Sequence, residues 1–468
     1  MRKNDEFIDI VVDIGTNGEG VIKRDGTVVF VPFALLGEEI RYKILKTTSK
    51  CAYGKLLEVL KPSSIRVQAK CPVFGKCGGC QIQHIDYKEQ LKIKEQNVVN
   101  TFKKVAAVDI NILPAISGDS CFRYRNKLQL PVVQTQNGVM IGFYAENSHR
   151  VIPINDCLIN AEWTVDVINA FNEYVSTYNI KGYNENQNSG DIREITVKEI
   201  KGNLIITVVS LKRTLKNSTE LIEILKSKIK QNFSLYININ AKSTNVIYGD
   251  EFRLLYGDPD YDGEMLGIKY KIGVQSFMQV NDSVCQKLYS SVKDLVDADE
   301  NTVVIDAYSG AGLMTALLSR EAKKAIGVEI IPEAVDCANQ LAKANNLTDK
   351  ISNYQGKCEE ILPDIIMREK QKNSNVCLVL DPPRKGCDIK VINAILKSDI
   401  DKIVYVSCMP STLARDVGLL IGTLEQKDGQ IVKAQNVLNR YDIKYVRPFD
   451  MFAQTKHVET LICLQRRK

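Results

Sequence analysis

The sequence predicts a multidomain protein: a small N-terminal β-barrel, an α+β middle, and a C-terminal α/β domain with a Rossmann-like parallel sheet. Three observations predict it. Short β-branched runs separated by glycine turns fill residues 7–60. Hairpin patterns with Asn-Gly and Lys-Gly turns occupy much of 120–275. From residue 281 apolar strands alternate with helical stretches, the pattern of a parallel sheet covered on both faces.

Within the first unit, FIDIVVDI, VIKRDGTVVFVP, EEIRYKIL and GKLLEVL read as strands. About five strands in so short a span suggest a closed barrel, an architecture common among oligonucleotide-binding modules. Its later strands are basic. Residues 41–70 hold Arg41, Lys43, Lys46, Lys50, Lys55, Lys61, Arg66 and Lys70 against Glu58 alone, whereas all 468 residues together carry only +6. A short basic segment on a nearly neutral body is the footprint of a phosphate-backbone contact. A solvated lysine-rich surface has the same composition. The Pro62-Ser63-Ser64 break sets the first domain at 1–62.

The middle domain is set at 63–275. It opens on Cys71, Cys77, Gly78, Gly79 and Cys80, followed by a charged stretch over 86–105 that reads as a helix. Asn137-Gly138 between apolar runs signals a hairpin, and 193–211 signals a second. Between them Val165, Ile168, Phe171, Val175 and Tyr178 recur every three or four residues, so 161–179 is an amphipathic helix. Arg123, Tyr124, Arg125 and Lys127 interleave a ring with cations, a composition that suits phosphates plus a stacked base and equally a solvated strand edge.

The third domain, 276–468, carries the chemistry. Asp306-Ala307-Tyr308-Ser309-Gly310-Ala311-Gly312 leaves a strand and opens a helix, and Glu329 ends the next strand 23 residues after Asp306. Glycines let a backbone approach a ligand, and an acid at that offset accepts hydrogen bonds from ribose hydroxyls. The full G-x-G-x-x-G spacing is missing, so an adenosine-type ligand such as S-adenosylmethionine fits better than a dinucleotide. Asp381-Pro382-Pro383-Arg384 forms a rigid wall at a strand end. Enzymes that methylate exocyclic amines place an aromatic ring after such prolines, and Arg384 disfavours that chemistry. Cys408 lies just past the fifth strand, at the same carboxyl edge, and Glu459 precedes the last apolar strand. Alone, either is an ordinary buried thiol or surface acid.

Composition excludes other classes. With 44% hydrophobic and 25% charged residues the chain is globular rather than disordered. No run approaches the roughly 18 apolar residues of a membrane span. MRKNDEFIDIVVDIG has acids where a signal peptide has its apolar run, so the expected location is the cytoplasm. There thirteen cysteines point to metal or catalysis rather than disulfides. Cys71, Cys77 and Cys80 are three clustered thiolates that suit zinc or an iron–sulfur cluster; a zinc site shows two close pairs more often than this arrangement. Cys121 is one candidate for a fourth ligand. His84 reads as structural, and His149 and Trp163 as packing or surface residues. No protein partner is evident, and a monomer is expected.

Taken together and in order, these motifs resemble the RNA (uracil-5-)-methyltransferases over nearly the whole chain. The matching segments are the N-terminal barrel, which resembles a TRAM domain, Cys71-x5-Cys77-Gly78-Gly79-Cys80, Ser276-Phe277-Met278-Gln279-Val280-Asn281, the Asp306–Gly310 turn, Asp381–Gly386, Val406–Pro410 and His457–Thr460. The resemblance implies Cys408 as nucleophile and Glu459 as base. It implies Gln279, Tyr308, Glu329 and Asp381 as contacts of S-adenosylmethionine, and Cys157 as the fourth ligand of a [4Fe-4S] cluster with Cys71, Cys77 and Cys80. It implies RNA as partner, and 23S ribosomal RNA ahead of transfer RNA, because the transfer-RNA branch usually lacks the barrel and the cysteines. Two departures stand out: Ala453 replaces a proline common after Asp450-Met451-Phe452, and Gln355–Cys358 offers no clear acid or Asn after the third strand. A third reading, DNA cytosine-5 methylation, is disfavoured because Ser407 rather than proline precedes Cys408. A fourth, a non-catalytic RNA-binding or redox-sensing protein on this scaffold, is disfavoured by the presence of both Cys408 and Glu459.

Overall fold

The computed structural model describes residues 1–15, 17–372, 375–398, 400–438 and 440–467. Residues 6–61 form a curled six-stranded sheet. Ile40, Tyr42 and Ile44 alternate inward with Val29 and Val31, while Glu39, Arg41 and Lys43 face out. The two ends of its strand order, Glu6–Ile10 and Asp13–Ile14, are consecutive stretches of one bent segment, which pairs with Glu39–Lys43 on one side and Gly20–Val21 on the other and so joins the ends of the sheet. At the bend Val11 N–H donates to Glu38 O and Val12 N–H to Val21 O.

Tertiary pairing also redraws the basic segment. Arg41 reaches Glu58 and Glu6, Lys43 pairs with Glu6, and Arg66 bonds the buried Glu38 at 2.5 Å. Lys46, Lys50, Lys55, Lys61 and Lys70 have no ion partner among the described residues, and Lys70 lies over the Phe122 ring.

The middle of the chain is a seven-stranded sheet backed by the helices Trp163–Thr177 and Ser218–Lys228. Two of its central strands, Lys127–Thr135 and Ile192–Ile200, pair antiparallel with Lys127 opposite Lys198. The helix α1 (Tyr87–Val105) starts on Asp86, whose carboxylate accepts the Lys88 N–H. Its apolar residues Val98 and Phe102 are buried against the C-terminal sheet, not the middle one.

That C-terminal sheet consists of β1 (Thr302–Ala307), β2 (Lys324–Glu329), β3 (Ile351–Gln355), β4 (Asn375–Leu380), β5 (Lys402–Ser407), β6 (Tyr441–Phe449) and β7 (Glu459–Arg466). The order is β3-β2-β1-β4-β5-β7-β6, with β1 to β5 parallel and β7 antiparallel to both neighbours. All six residues of β1 and five of six in β5 are buried, as expected of strands covered on both faces. Strand order reverses between β1 and β4, and the carboxyl ends there frame the crevice in which such sheets bind ligands. No described helix is long and apolar enough to cross a membrane.

Candidate active site

Three strand ends bring the expected catalytic residues to one edge. Asp381 follows β4, Cys408 follows β5, and Glu459 opens β7. Ser407 pairs with Thr460 in the β5–β7 ladder, so the next positions, Cys408 and Glu459, lie side by side. The antiparallel direction of β7 makes this possible: its start lies beside the end of β5. Past Cys408, Pro410 opens the helix α2 (Pro410–Ile421), and Ser407 Oγ accepts the Met409 N–H at 3.1 Å, fixing the turn.

The site is acidic and crowded. Glu459 is 4% exposed, and burial followed by the charge of Asp381 pushes its carboxyl well above the usual range. Asp381 opens to solvent in the crevice, yet the protein surrounding it raises it to about 7. Asp306 is buried and also raised to about 7, with Thr315 Oγ1 donating to it at 2.5 Å. Burial, then Glu459, raises the Cys408 thiol, while the Arg384 guanidinium beside it pulls the other way. A nucleophilic cysteine was expected to sit below its ordinary value of about 8.5. Here it sits above, because burial disfavours the thiolate and the carboxyls of Glu459 and Asp381 add to that against the single cation Arg384.

The remaining expected contacts line the same edge. Tyr308 adopts φ +69°, a left-handed conformation that costs a non-glycine residue about 1–3 kcal/mol and is characteristic of functional turns. Gly312, at φ +81°, has no room for a side chain, since a Cβ there would meet that of Ala338 at 2.7 Å. Glu329 accepts the N–H groups of Gly310 (3.0 Å) and Ile331 (2.9 Å), which hold its carboxylate at the crevice. After β3, Gly356 N–H donates to Glu329 O, and neither an acid nor an Asn stands at that position. Gln279 and Arg384 line a cavity of about 510 Å³ between the middle and C-terminal sheets.

The far wall of that cavity holds Cys71, Cys77, Cys80 and Cys157. Burial raises Cys157 to about 11 and Cys80 further, and the other thiols add to both. Amide donors converge on them. Gly79 N–H points to Cys77 Sγ at 3.3 Å, and the backbone of Ile159 and Asn160 bonds Cys157. Gln83 takes the Cys71 N–H at 2.7 Å, while its own buried Nε2 has no partner. Gly78 packs so closely on Glu146 that a Cβ would lie 2.9 Å from its backbone N. Among the described residues no three His, Cys, Asp or Glu side chains are close enough to share one metal ion. Cys121 does not line the cavity; it lies near Gln454 and Asp450. His84 packs between Phe33 and Phe74, and burial lowers it to about 4.

The Arg123–Lys127 run serves mostly as structure. Arg123 grips Asp156 with two bonds (2.7 and 2.6 Å), and the Tyr124 hydroxyl donates to Ala453 O, so that ring is not free to stack on a base. Arg125 and Lys127 alone face the cavity. The loop leading to Glu459 is anchored from α1: Lys94 Nζ bonds Asp450 Oδ1 (2.5 Å) and Phe452 O (3.1 Å), and the Tyr87 hydroxyl bonds Asp450 Oδ2 (2.7 Å).

The family model for tRNA (uracil-5-)-methyltransferase matches residues 86–467. The chain belongs to this family. It is an enzyme of the RNA (uracil-5-)-methyltransferase class. A relative from Clostridium tetani, named an uncharacterized RNA methyltransferase, is 36% identical over 99% of this chain and 97% of its own length. One of the same description from Clostridium acetobutylicum is 37% identical over 100% and 98%. A solved structure of Pyrococcus abyssi tRNA (uracil-54, C5)-methyltransferase with S-adenosyl-L-homocysteine shares the fold at a TM-score of 0.75 and 23% identity, covering 98% of this chain and 99% of that one.

Two features of this site are not legible in the sequence. Arg384 reads there only as a residue that excludes amine methylation, not as the cation facing Cys408. Lys94 gave no signal, since one lysine in a helix of many reads as solvated surface until Asp450 is seen opposite it.

Proposed function

We propose that this enzyme methylates C5 of a uridine in RNA with S-adenosylmethionine, through a transient bond between Cys408 and C6. The observation that carries the reading is the convergence of Cys408, Glu459, Asp381 and Arg384 on adjacent strand ends. C5 of uracil is a poor nucleophile. The Cys408 proton passes to solvent, with Arg384 beside the thiol favouring the thiolate; its addition to C6 forms the S–C6 bond and shifts the ring electrons toward C5 and O4, where Arg384 and the cavity's Lys127 and Arg125 offer positive charge. When bound, S-adenosylmethionine supplies the methyl group and a sulfonium cation. Asp306, Asp381 and Glu329 form an acidic crevice that suits such a cation, beside Tyr308; Gln279, which lines the neighbouring cavity with Arg384, is read as a further contact from the resemblance. C5 takes the methyl group; Glu459 then accepts the C5 proton, the C5–C6 double bond re-forms, and the thiolate leaves. A carboxyl with raised proton affinity is the stronger base for that step. The uracil has to be extruded from its stack to reach Cys408.

The four-thiol wall fits an iron–sulfur cluster. A single ion with ligands about 2.3 Å away needs sulfurs within about 4 Å of one another; a cluster bridges wider separations, and the amide donors around these thiols suit its sulfurs. Cys71, Cys77, Cys80 and Cys157 would hold it. Its role is to brace the middle sheet and the RNA cavity, since this methyl transfer moves no net electrons. We read the chain as three domains, 1–62 (TRAM-like), 63–275 and 276–468, with α1 lent to the third, working as a monomer in the cytoplasm.

For the RNA, 23S ribosomal RNA is the first reading, resting on the resemblance that associates the N-terminal sheet and the cysteine set with it. Transfer RNA is the second. It is favoured by the Pyrococcus abyssi enzyme, named for a tRNA uridine, whose fold covers 98% of this chain. Mapping 5-methyluridine in both RNAs of a strain lacking the gene tests the reading. Loss of a modified uridine in 23S RNA supports the first and loss in transfer RNA the second; no loss in either refutes both.

A further inference from the structure

We infer that Lys198 is a positioning residue that fixes the Gln279 segment against the methyl-donor crevice. Lys198 lies on the strand Ile192–Ile200 and is only 5% exposed. Its Nζ donates to two backbone carbonyls, Val274 O at 2.6 Å and Ser276 O at 2.5 Å. It has no carboxylate partner among the described residues, and the residue opposite it across the ladder is another lysine, Lys127. Burying an ammonium without a counter-ion is costly, and here burial lowers the amine to about 7. The adjoining strand contributes a second hold on the same stretch. Asn126 Nδ2 donates to Gln279 O (3.0 Å) and Asp282 Oδ1 (2.8 Å), and Asn126 N–H to Val280 O (3.1 Å). Asn126 O in turn accepts the Glu199 N–H, which places both anchors at one point of the sheet.

The consequence is mechanical. Residues 274–276 are held at one end and 279–282 at the other, and Phe277 and Met278 span the gap beside the cavity with Gln279. This span has no ladder of its own, because the preceding strand ends at Gly273 and the next helix begins at Asp282. The carbonyls of Val274, Ser276 and Gln279 are met by side chains from or beside the middle sheet, and that of Val280 by the Asn126 N–H. Lysine is well matched to that need, since an ammonium on a long stem can serve two carbonyls from a neighbouring strand.

This inference rests on the reading of Gln279 as a contact of S-adenosylmethionine, and the test separates the two. Full-length holoprotein carrying Lys198→Met, Lys198→Gln, Asn126→Ala or Gln279→Ala is measured for S-adenosylhomocysteine affinity by calorimetry, for KM and kcat, for RNA affinity and for thermal unfolding. Lys198→Met is expected to weaken S-adenosylhomocysteine binding and raise KM for S-adenosylmethionine about tenfold or more, with kcat and RNA affinity changed less than threefold. Lys198→Gln, which keeps one donor, should fall between. Asn126→Ala, cutting the other end, should shift KM in the same direction. A merely structural lysine would lower the unfolding temperature and the active fraction while leaving KM unchanged. If Gln279→Ala weakens binding but Lys198→Met and Asn126→Ala leave it within twofold, the positioning role is refuted. If Gln279→Ala itself has no effect, the assignment of Gln279 fails, and with it the route by which Lys198 acts.

Discussion

Replacing Lys94 with Met removes one half of the most deeply buried ion pair among the described residues. Lys94 is 2% exposed and Asp450 0%, and their bond is 2.5 Å long. Without the ammonium, Asp450 retains only the Tyr87 hydroxyl, and Phe452 O loses its donor. Breaking a buried pair in this way costs about 3–5 kcal/mol, because an uncompensated charge stays inside. If the C-terminal body unfolds as one unit, that corresponds to a fall of roughly 6–20 °C in its midpoint. The double variant Lys94→Met/Asp450→Asn removes the stranded charge and keeps a partner for Tyr87, so most of the loss should return, leaving about 1–2 kcal/mol. Urea titration followed by circular dichroism measures both. The loop from Asp450 leads directly to Glu459, so the single variant should also lose more activity than its folded fraction explains. A cost below about 1 kcal/mol for Lys94→Met, or a double variant no better than the single, would refute the account.

Other expectations follow from the site and the surface. Cys408→Ala should give neither methylation nor adduct, whereas Glu459→Gln with S-adenosylmethionine should accumulate a protein–RNA band stable to denaturing electrophoresis; normal turnover by Glu459→Gln would remove it as the base. Asp306 and Asp381 both sit near 7, above the ordinary carboxylate value, and a cation binds their ionised forms. Affinity for S-adenosylmethionine should therefore fall as pH drops from 8 to 6, by up to about tenfold per unit per proton, and S-adenosylhomocysteine, lacking the sulfonium charge, should show a shallower slope; equal slopes would argue against the acidic crevice as the cation's site. Anaerobically purified protein should carry iron and sulfide, lost in Cys157→Ser and kept in Cys121→Ser, and stoichiometric zinc would overturn the cluster. Changing Lys46, Lys50, Lys55 and Lys61 together to Gln should reduce the salt dependence of RNA binding by about three in log–log slope. An unchanged slope would move the phosphate contact elsewhere.

The sequence by itself determined the elements and their chemistry. The period-two runs of residues 6–61, the Asn137-Gly138 hairpin, the helix of 163–177 and the strand–helix alternation after 281 are local patterns, and local burial requirements write them directly into composition. The motifs around Asp306, Asp381, Cys408 and Glu459 were legible for the same reason: each is a short turn at a strand end. Only the tertiary structure decided what lies beside what. That Glu459 neighbours Cys408 follows from β7 running antiparallel beside β5, a pairing of residues about fifty apart in the chain. That three of the eight cations in the basic segment, Arg41, Lys43 and Arg66, are paired depends largely on Glu6 and Glu38 arriving from outside it. That Tyr124 is a strut, Lys94 a buried anchor and Lys198 a clamp could not be read from alternation or helical period, because a polar side chain has the same pattern whether it faces water or a partner brought in from far along the chain. The raised state of the Cys408 thiol has the same origin: its burial, and the charges of Glu459 at the start of β7 and of Asp381 and Arg384 after β4, exist only once these segments pack together.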